Sequence, residues 1–514
     1  MPVASRRTSV ARKRIPQRVQ PKSGLKLTEE QIEIRDEARA KEDLIIQACA
    51  GSGKSSTLRE IALDQPGRKF LYVVYNTAAR EDAEKKFPKN VLCKTRHSLA
   101  YGAIGWKYRD RNRKGRMPSS KLAQRLKIVK TEEYPGLLEP HVFKPGKLAS
   151  LALETVSVFC SSDAEVILPE HVPYQKGLSK AAQRDLSSKV ARYASRFWLE
   201  TIRPKSDLWF ADDYYFKIWL LSHPTLPYDA IMLDEAQDST MAVRKLILSQ
   251  HTQKIAVGDS AQSLYRWQGA VNIMDNWPGK ELYLSMSFRF GDAIAEEANL
   301  WLEHTGTKLR VQGNPAVTSR VAVTADEVDA ILCRSNGMCI QQAVEGLEKG
   351  LSVGFSKDPS PLKRLAWAAK ELQEDGRTDH EDFAGFSAWD DVVEYSESPE
   401  GSDMKVFVKL VNRYSARRLG AILMNVKDAR HADVDLVVAT AHSTKGLEWP
   451  RVRIAQDFTA PDFEEGEELK VDDAMVGYVA VTRAKTFLNH EGLEWIHTAP
   501  SKSFETSLRV PAAV

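Results

Sequence analysis

Two short strings constrain the fold of this chain more than anything else in its 514 residues: ACAGSGKSS at 48 to 56 and IMLDEAQDS at 231 to 239. The apolar run Leu44, Ile45, Ile46 reads as a strand leading into the first string. Gly51 and Gly53 then allow a tight turn that opens a helix. In such a unit the backbone around Ala50, Gly51, Ser52 and Gly53 crowds N–H groups onto phosphate oxygens. Lys54 reaches the outer phosphates, and Ser55, with Ser56 at the mouth of the helix, offers a hydroxyl to Mg²⁺. Ala48 stands where the general pattern has Gly, so a chance Gly-Ser-Gly turn remains an alternative for this string alone. The second string weakens that alternative. Tyr228 to Leu233 reads as a buried strand delivering Asp234 and Glu235 at its end. There Asp234 holds a metal, directly or through water, and Glu235 orients and deprotonates an attacking water. Together the strings imply hydrolysis of a nucleoside triphosphate with Mg²⁺.

The length suits two to four domains at about 150 residues each, and 43% hydrophobic with 28% charged residues is a soluble, globular composition. No apolar run approaches the roughly 20 residues of a membrane span, and no signal-type segment follows the start. The expected location is therefore cytoplasmic or nucleoid-associated, nuclear in a eukaryote, and not secreted. Five cysteines without paired metal-ligand spacing imply reduced thiols.

The net charge of +4 hides an uneven distribution. Residues 1 to 26 carry eight Lys or Arg and no acid, which predicts a disordered basic tail. It is either a nucleic-acid arm, a targeting segment or a solvated tail. Trp106 to Lys130 carries ten basic residues against Asp110. That stretch suits a polyanion or, equally, an ordinary charged helix surface. Glu371 to Asp403 holds twelve acids against Arg377, and reads as a surface insertion or linker within one domain.

Strand-like runs recur at Leu44 to Ile46, Phe70 to Tyr75, Tyr228 to Leu233, Lys254 to Val257, Leu282 to Leu284, Ala330 to Cys333, Leu436 to Ala439 and Val452 to Ile454. Helical stretches separate many of them, which predicts α/β architecture with two parallel sheets. Leu178, Ala182, Leu186, Val190, Ala194 and Trp198 fall at four-residue steps, an amphipathic helix within a helical insertion at about 105 to 205.

Further strings follow in order: LTEEQ at 27 to 31, VYNTAARED at 74 to 82, TRHSLAY at 95 to 101, KIAVGDSAQSLYRWQGA at 254 to 270, LSMSFRF at 284 to 290, TAHSTKGLEW at 440 to 449 and GYVAVTRAK at 477 to 485. This ordered set resembles the UvrD/Rep/PcrA-type superfamily 1A DNA helicases across residues 27 to 488. The stretch ADDYYFKIWLLSHPTLPYDAIMLDEAQD is also similar to the compact branch that includes the F-box DNA helicase and phage-encoded homologues.

The resemblance implies two RecA-like motor domains: a first, 1A, over 27–284 with the helical insertion 1B, and a second, 2A, over 285–514. It implies that ATP binds between them. By resemblance Gln31 recognises adenine through its amide, which can donate and accept on one base edge. Phe288 takes the place of a Tyr that stacks on adenine, Glu448 accepts from the ribose, and Tyr265 lies near the phosphates. Gln262 senses the γ-phosphate, while Arg289 and Arg483 neutralise charge that develops during transfer. Taken singly, Phe288 and Tyr265 also fit core aromatics, and each arginine an ordinary ion pair.

On the DNA side, the matching positions are Tyr75, Asn76, Thr95, His97, Thr440 and His442, with Trp267 as a stacking platform worth roughly 1 to 3 kcal/mol per base. Tyr75 is offset by one from the family's usual aromatic. The two histidines also fit structural roles. Gln268 stands where the family has Arg, and Arg96 where it has an aromatic, so the grip on DNA is expected to differ.

From Arg289 to Thr440 there are 150 intervening residues, whereas relatives place a large accessory domain, 2B, in that interval. Only about 50 residues, at 380 to 430, remain for it at usual domain sizes. The 2B domain is expected to be absent or reduced to a small acidic, helical remnant. The resemblance thus implies an ATP-dependent helicase moving 3′ to 5′ on single-stranded DNA and at ss/ds junctions, a monomer in solution, serving repair, recombination or replication. The alternatives are a translocase that strips proteins without unwinding, and an ATP-switched DNA-binding subunit of a nuclease or defence complex.

Overall fold

The computed structural model describes residues 26–500 apart from 112–116, 136–139, 265–271, 384–385, 387, 399–400 and 402–403. Tyr265, Trp267, Gln268 and all of the basic tail but Lys26 lie outside the described residues.

The eight apolar runs are all strands, and they fall into two parallel sheets of the RecA-like kind. The first sheet takes β1 (Leu44–Ala48), β2 (Phe70–Val74) and β3 (Val91–Thr95) from the start of the chain. A helical excursion carrying the antiparallel hairpin β4 (Glu132–Tyr134) and β5 (His141–Phe143) follows. The sheet is completed by β6 (Ala230–Leu233), β7 (Gln253–Gly258) and β8 (Lys280–Leu284), in the order β3-β2-β6-β7-β1-β8. The second sheet uses β9 (Arg320–Val321), β10 (Ala330–Cys333), β11 (Val353–Phe355), β12 (Lys427–Asp428), β13 (Leu436–Thr440), β14 (Trp449–Ile454) and β15 (Ala484–Asn489). Its order is β12-β11-β13-β10-β14-β15-β9.

Because side chains alternate along a strand, each sheet feeds two cores. In the first, Leu44, Ile46, Phe70, Tyr72, Met232, Ile255 and Val257 face the helices Glu29–Ala38 and Lys54–Asp64. Ile45, Leu71, Val73, Ile231, Leu233 and Ala256 point the other way, into a core shared with the helical excursion. That excursion includes Lys180–Thr201, capped by Ser179, whose Ala182, Leu186, Val190, Ala194 and Trp198 are all buried. It continues through Asp212–Leu221, beyond the 205 read from sequence.

The basic stretch after Trp106 is partly structural. Arg111 is buried, donating to the carbonyls of Thr201, Arg203 and Leu208, and Arg125 pairs with Glu200 and Asp207.

The acidic stretch differs from a simple linker. Glu371–Asp375 ends the helix Ser360–Asp375, and Phe383, Trp389 and Val392 are buried in the same core as the helices Lys405–Tyr414 and Ala416–Leu423. The apolar positions turn inward while acids stay outside, so this small helical region is part of the second half's own core.

Candidate nucleotide site and nucleic-acid face

Parallel strands bring their carboxyl ends to one edge, which is where ligands bind in open α/β sheets. Here β1 runs into the glycine loop, β6 into Asp234 and β7 into Asp259, with β7 lying between the other two. Gly51 and Gly53 have φ of 73° and 79°, the left-handed region that a side chain disfavours. A Cβ on Gly51 would also come within 2.6 Å of Ser287 Oγ. Gly53 caps the helix that begins at Lys54, so the first backbone N–H groups of that helix face the loop.

Lys54 Nζ lies 3.6 Å from Glu235 Oε1. Burial works against the lysine's charge, but Glu235, Asp259 and Asp234 outweigh it and raise its pKa. The two neighbouring acids are pushed apart. Burial and the adjacent Glu235 raise Asp234, against a hydrogen bond from Tyr72 and the field of Lys54. Burial also opposes ionisation of Glu235, yet Lys54 and Lys445 overcome it and its pKa is lowered. Glu235 thus stays an anion beside Lys54. Its backbone has φ of 48°, unusual for a side-chain-bearing residue, and its Oε2 accepts from Gln237 at 2.7 Å.

Ser55 Oγ lies 3.1 Å from Asp234 Oδ2. A hydroxyl and a carboxylate meeting at a helix start are the hard oxygen donors Mg²⁺ uses, so these residues fit the ion.

The sequence strings marked residues but not which of them meet. Gln31 is buried, bonded to Thr57 and to the Thr28 N–H, which leaves one N–H and one lone pair of its amide. Its Nε2 and the ring of Phe288 both come within 3.2 Å of where a Cβ on Gly53 would sit, and the Phe288 ring is 42% exposed. An amide and an open aromatic face therefore converge beside the phosphate loop.

Across from it stand groups of the second half. Arg289 bonds Glu448 at 2.6 Å and the Thr482 carbonyl at 2.7 Å, and Glu448 also pairs with Lys485. Arg483 is buried, held by the carbonyls of Val479 and Leu447, and its Nη2 approaches Gln262 Oε1 at 3.4 Å. Burial and the charge of Arg289 push Arg483 down to about 9, still protonated at neutral pH.

Four contacts across the cleft involve residues that sequence reasoning gave no role. The Ala50 N–H donates to Tyr478 Oη at 3.0 Å, and the Tyr478 hydroxyl donates to Asp259 Oδ2 at 3.1 Å. Lys445 donates to the Gln262 carbonyl at 2.7 Å and pairs with Asp238. Asp259 also accepts from Gln262 Nε2 at 2.6 Å. All four residues sit inside the quoted strings, and their place there was the only signal available. Cys49 and Ala50 even join the apolar core of the second half. The two halves are closed on one another at the phosphate loop.

The nucleic-acid positions are less uniform. Tyr75 is 66% exposed just past β2, and Asn76 caps the helix Thr77–Lys86. Thr95 is buried and caps the helix Arg96–Ala103, while His97 and Arg96 share Asp213 at 2.8 and 3.1 Å. Thr95 and His97 therefore already have partners within the fold. Thr440 and His442 line a cleft of about 980 Å³ with Arg334, Lys470 and Leu264. Burial and Arg334 lower His442, favouring a neutral imidazole.

The UvrD/REP helicase N-terminal domain family matches residues 27–276, and the UvrD-like helicase C-terminal domain family matches residues 389–489. The chain is 30% identical to F-box DNA helicase 1 of Gallus gallus over 510 residues, covering 91% of this chain and 49% of that protein. It is 28% identical to F-box DNA helicase protein 1 of Schizosaccharomyces pombe (strain 972 / ATCC 24843) over 505 residues, covering 86% of this chain and 55% of that protein. The chain thus spans about half the length of these curated relatives. Among the described residues, no helix is long and apolar enough to cross a membrane.

Proposed function

This chain belongs to the UvrD-like helicase family, and from that membership we propose that it is an ATP-dependent DNA helicase that moves 3′ to 5′ along single-stranded DNA. The observation that carries the reading is the split site: Lys54, Ser55, Asp234 and Glu235 on the first half lie against Arg289, Arg483 and Tyr478 on the second.

ATP would lie with its phosphates on the loop around Gly51 and Gly53 and its base between Gln31 and Phe288, with Glu448 near the ribose. Ser55 and Asp234 would hold Mg²⁺, which shields phosphate charge and orients the γ-phosphate. Glu235, kept anionic by Lys54 and Lys445, accepts the proton of the attacking water. Gln262 bonds both Asp259 and Arg483, so it links the state of the phosphate to the second half. Arg289 and Arg483 meet the charge that builds during transfer.

Loss of the γ-phosphate removes the anion that draws the arginines in, and the cleft can open. Exposed Tyr75 on one half and the cleft of Thr440 and His442 on the other then change their spacing along a bound strand. Stacking is indifferent to base identity, as stepping requires. Trp267 is the proposed platform. The setting is DNA repair, recombination or replication.

Unwinding of 3′-tailed and 5′-tailed duplexes, with Lys54→Ala as control, tests the reading. Separation of the 3′-tailed substrate alone is expected. Separation of only the 5′-tailed one overturns the polarity, and DNA-stimulated hydrolysis without unwinding of either overturns the helicase assignment in favour of a translocase.

A further inference from the structure

In the second half, three potential metal ligands converge that the proposed motor does not use. Glu297 lies on the helix Asp292–Leu302, His490 directly follows β15, and His497 sits in the turn Glu494–Thr498. His490 Nδ1 is 3.0 Å from Glu297 Oε1, and His497 Nε2 is 3.0 Å from Glu297 Oε2. The donor atoms of the three residues all lie within 4.8 Å of one another. Glu297 is 4% exposed, His490 is largely covered, and His497 is half open to solvent.

We infer that Glu297, His490 and His497 bind one divalent transition metal, zinc by the chemistry of the donors, and so staple the turn Glu494–Thr498 to the helix Asp292–Leu302. Two imidazoles and one carboxylate form a donor set that zinc accepts with a water in the fourth position. Bonds of about 2.0 to 2.1 Å at tetrahedral angles place donors about 3.3 Å apart. The two contacts at 3.0 Å, one to each oxygen of Glu297, are close to that spacing, and with all donors within 4.8 Å of one another a single ion replaces the two hydrogen bonds once the imidazoles draw together around it. The exposed edge of His497 provides the entry path.

The position gives the staple a purpose. One turn beyond Glu297 on the same helix face, Trp301 meets the ring of Trp495 at 5.2 Å. Trp301 also lies against Gly477, where a Cβ would fall 2.2 Å from its ring. The next residue is Tyr478, which reaches across to Ala50. A metal at Glu297 would therefore fix the helix against which the cleft-forming helix Val471–Val481 is seated.

The test is zinc titration of the whole chain against a chromophoric chelator, with Co²⁺ absorption as a second readout. One equivalent is expected to bind, and Co²⁺ is expected to give the visible d–d bands of a low-coordinate nitrogen–oxygen site. His497→Ala, at a half-exposed position, should weaken binding by more than about tenfold and reduce the Co²⁺ bands. Glu297→Gln should do the same, and circular dichroism would check that both variants are folded. Absence of stoichiometric binding to the unaltered chain, or binding that His497→Ala leaves unchanged, overturns the inference and leaves the three residues as a hydrogen-bonded cluster.

Discussion

The hydroxyl of Tyr478 is the smallest group whose removal tests whether the two halves act on one site. In Tyr478→Phe the ring stays in place and only Oη is lost. That oxygen accepts the Ala50 N–H at 3.0 Å and donates to Asp259 at 3.1 Å, and all three residues are buried. Asp259 keeps the bonds from Ala261 N–H and Gln262 Nε2, at 3.1 and 2.6 Å. The chief loss is therefore the partner of the Ala50 amide. A buried amide left unpaired costs about 1 to 3 kcal/mol. Because Ala50 and Tyr478 lie on opposite halves, this cost falls on the closed arrangement, while in an open one water takes the place of the bond. At about 2 kcal/mol, closure weakens by about 30-fold. The assay is single-strand-stimulated ATP hydrolysis, measured as kcat/KM beside the thermal unfolding midpoint. A fall of about that size with the midpoint little changed is expected. Turnover within about threefold of the parent, at all ATP concentrations, refutes the reasoning.

Further outcomes follow from the same geometry. Lys217 is fully buried against the Phe159 ring, donating to the Ser162 carbonyl at 2.7 Å, and burial pushes it down to about 8. Below that pH the folded chain bears the full cost of the buried charge. Between there and the unfolded value of about 10.4 the unfolded chain holds more protons, so stability rises with pH. The stability of Lys217→Met relative to the parent should therefore fall by up to about 3 kcal/mol between pH 7 and 10.5 in urea unfolding; a constant gap would contradict the assignment. Arg111→Met strips three carbonyls of their donor and should destabilise the chain by about 3 to 5 kcal/mol in chemical denaturation. Its effect on DNA affinity should be small by comparison; the reverse pattern would make it a DNA contact. Deleting residues 1 to 26 should weaken single-strand binding at low salt and flatten the salt dependence, and an unchanged slope would remove the tail from the DNA path.

The parts of the fold legible in the sequence were those carried by local pattern. Each apolar run became a strand because its alternate residues fill two cores, as Ile45 and Ile46 do on opposite faces of β1. The strands that escaped notice lack that signal. β3 exposes Leu92 and carries Lys94, β4, β5 and β11 are three residues long, β9 and β12 are two, and β15 begins at Ala484 in a string that is mostly the helix Val471–Val481. Likewise, order along the chain marked Arg289, Arg483 and Gln262, but not the bond from Tyr478 to Ala50, 428 residues apart. Nor did it show that Asp213 already holds His97. Such pairings follow from how two sheets close on each other, and a linear pattern does not encode that. The acidic stretch is only partly legible for a related reason: its charges dominate the composition, while Phe383, Trp389 and Val392 decide its place in the core.

If one site is shared by two halves, hydrolysis needs a group that the nucleotide-binding half does not contain. Arg289 bonds Glu448, which keeps its pair with Lys485, and the carbonyl of the buried Thr482, so the thermal unfolding midpoint measured alongside separates loss of fold from loss of hydrolysis. The decisive measurement is ATP-analogue binding and single-strand-stimulated hydrolysis in Arg289→Ala, side by side. Binding within about tenfold of the parent is expected, with hydrolysis reduced by about a thousandfold or more. Hydrolysis within tenfold of the parent would contradict the shared site.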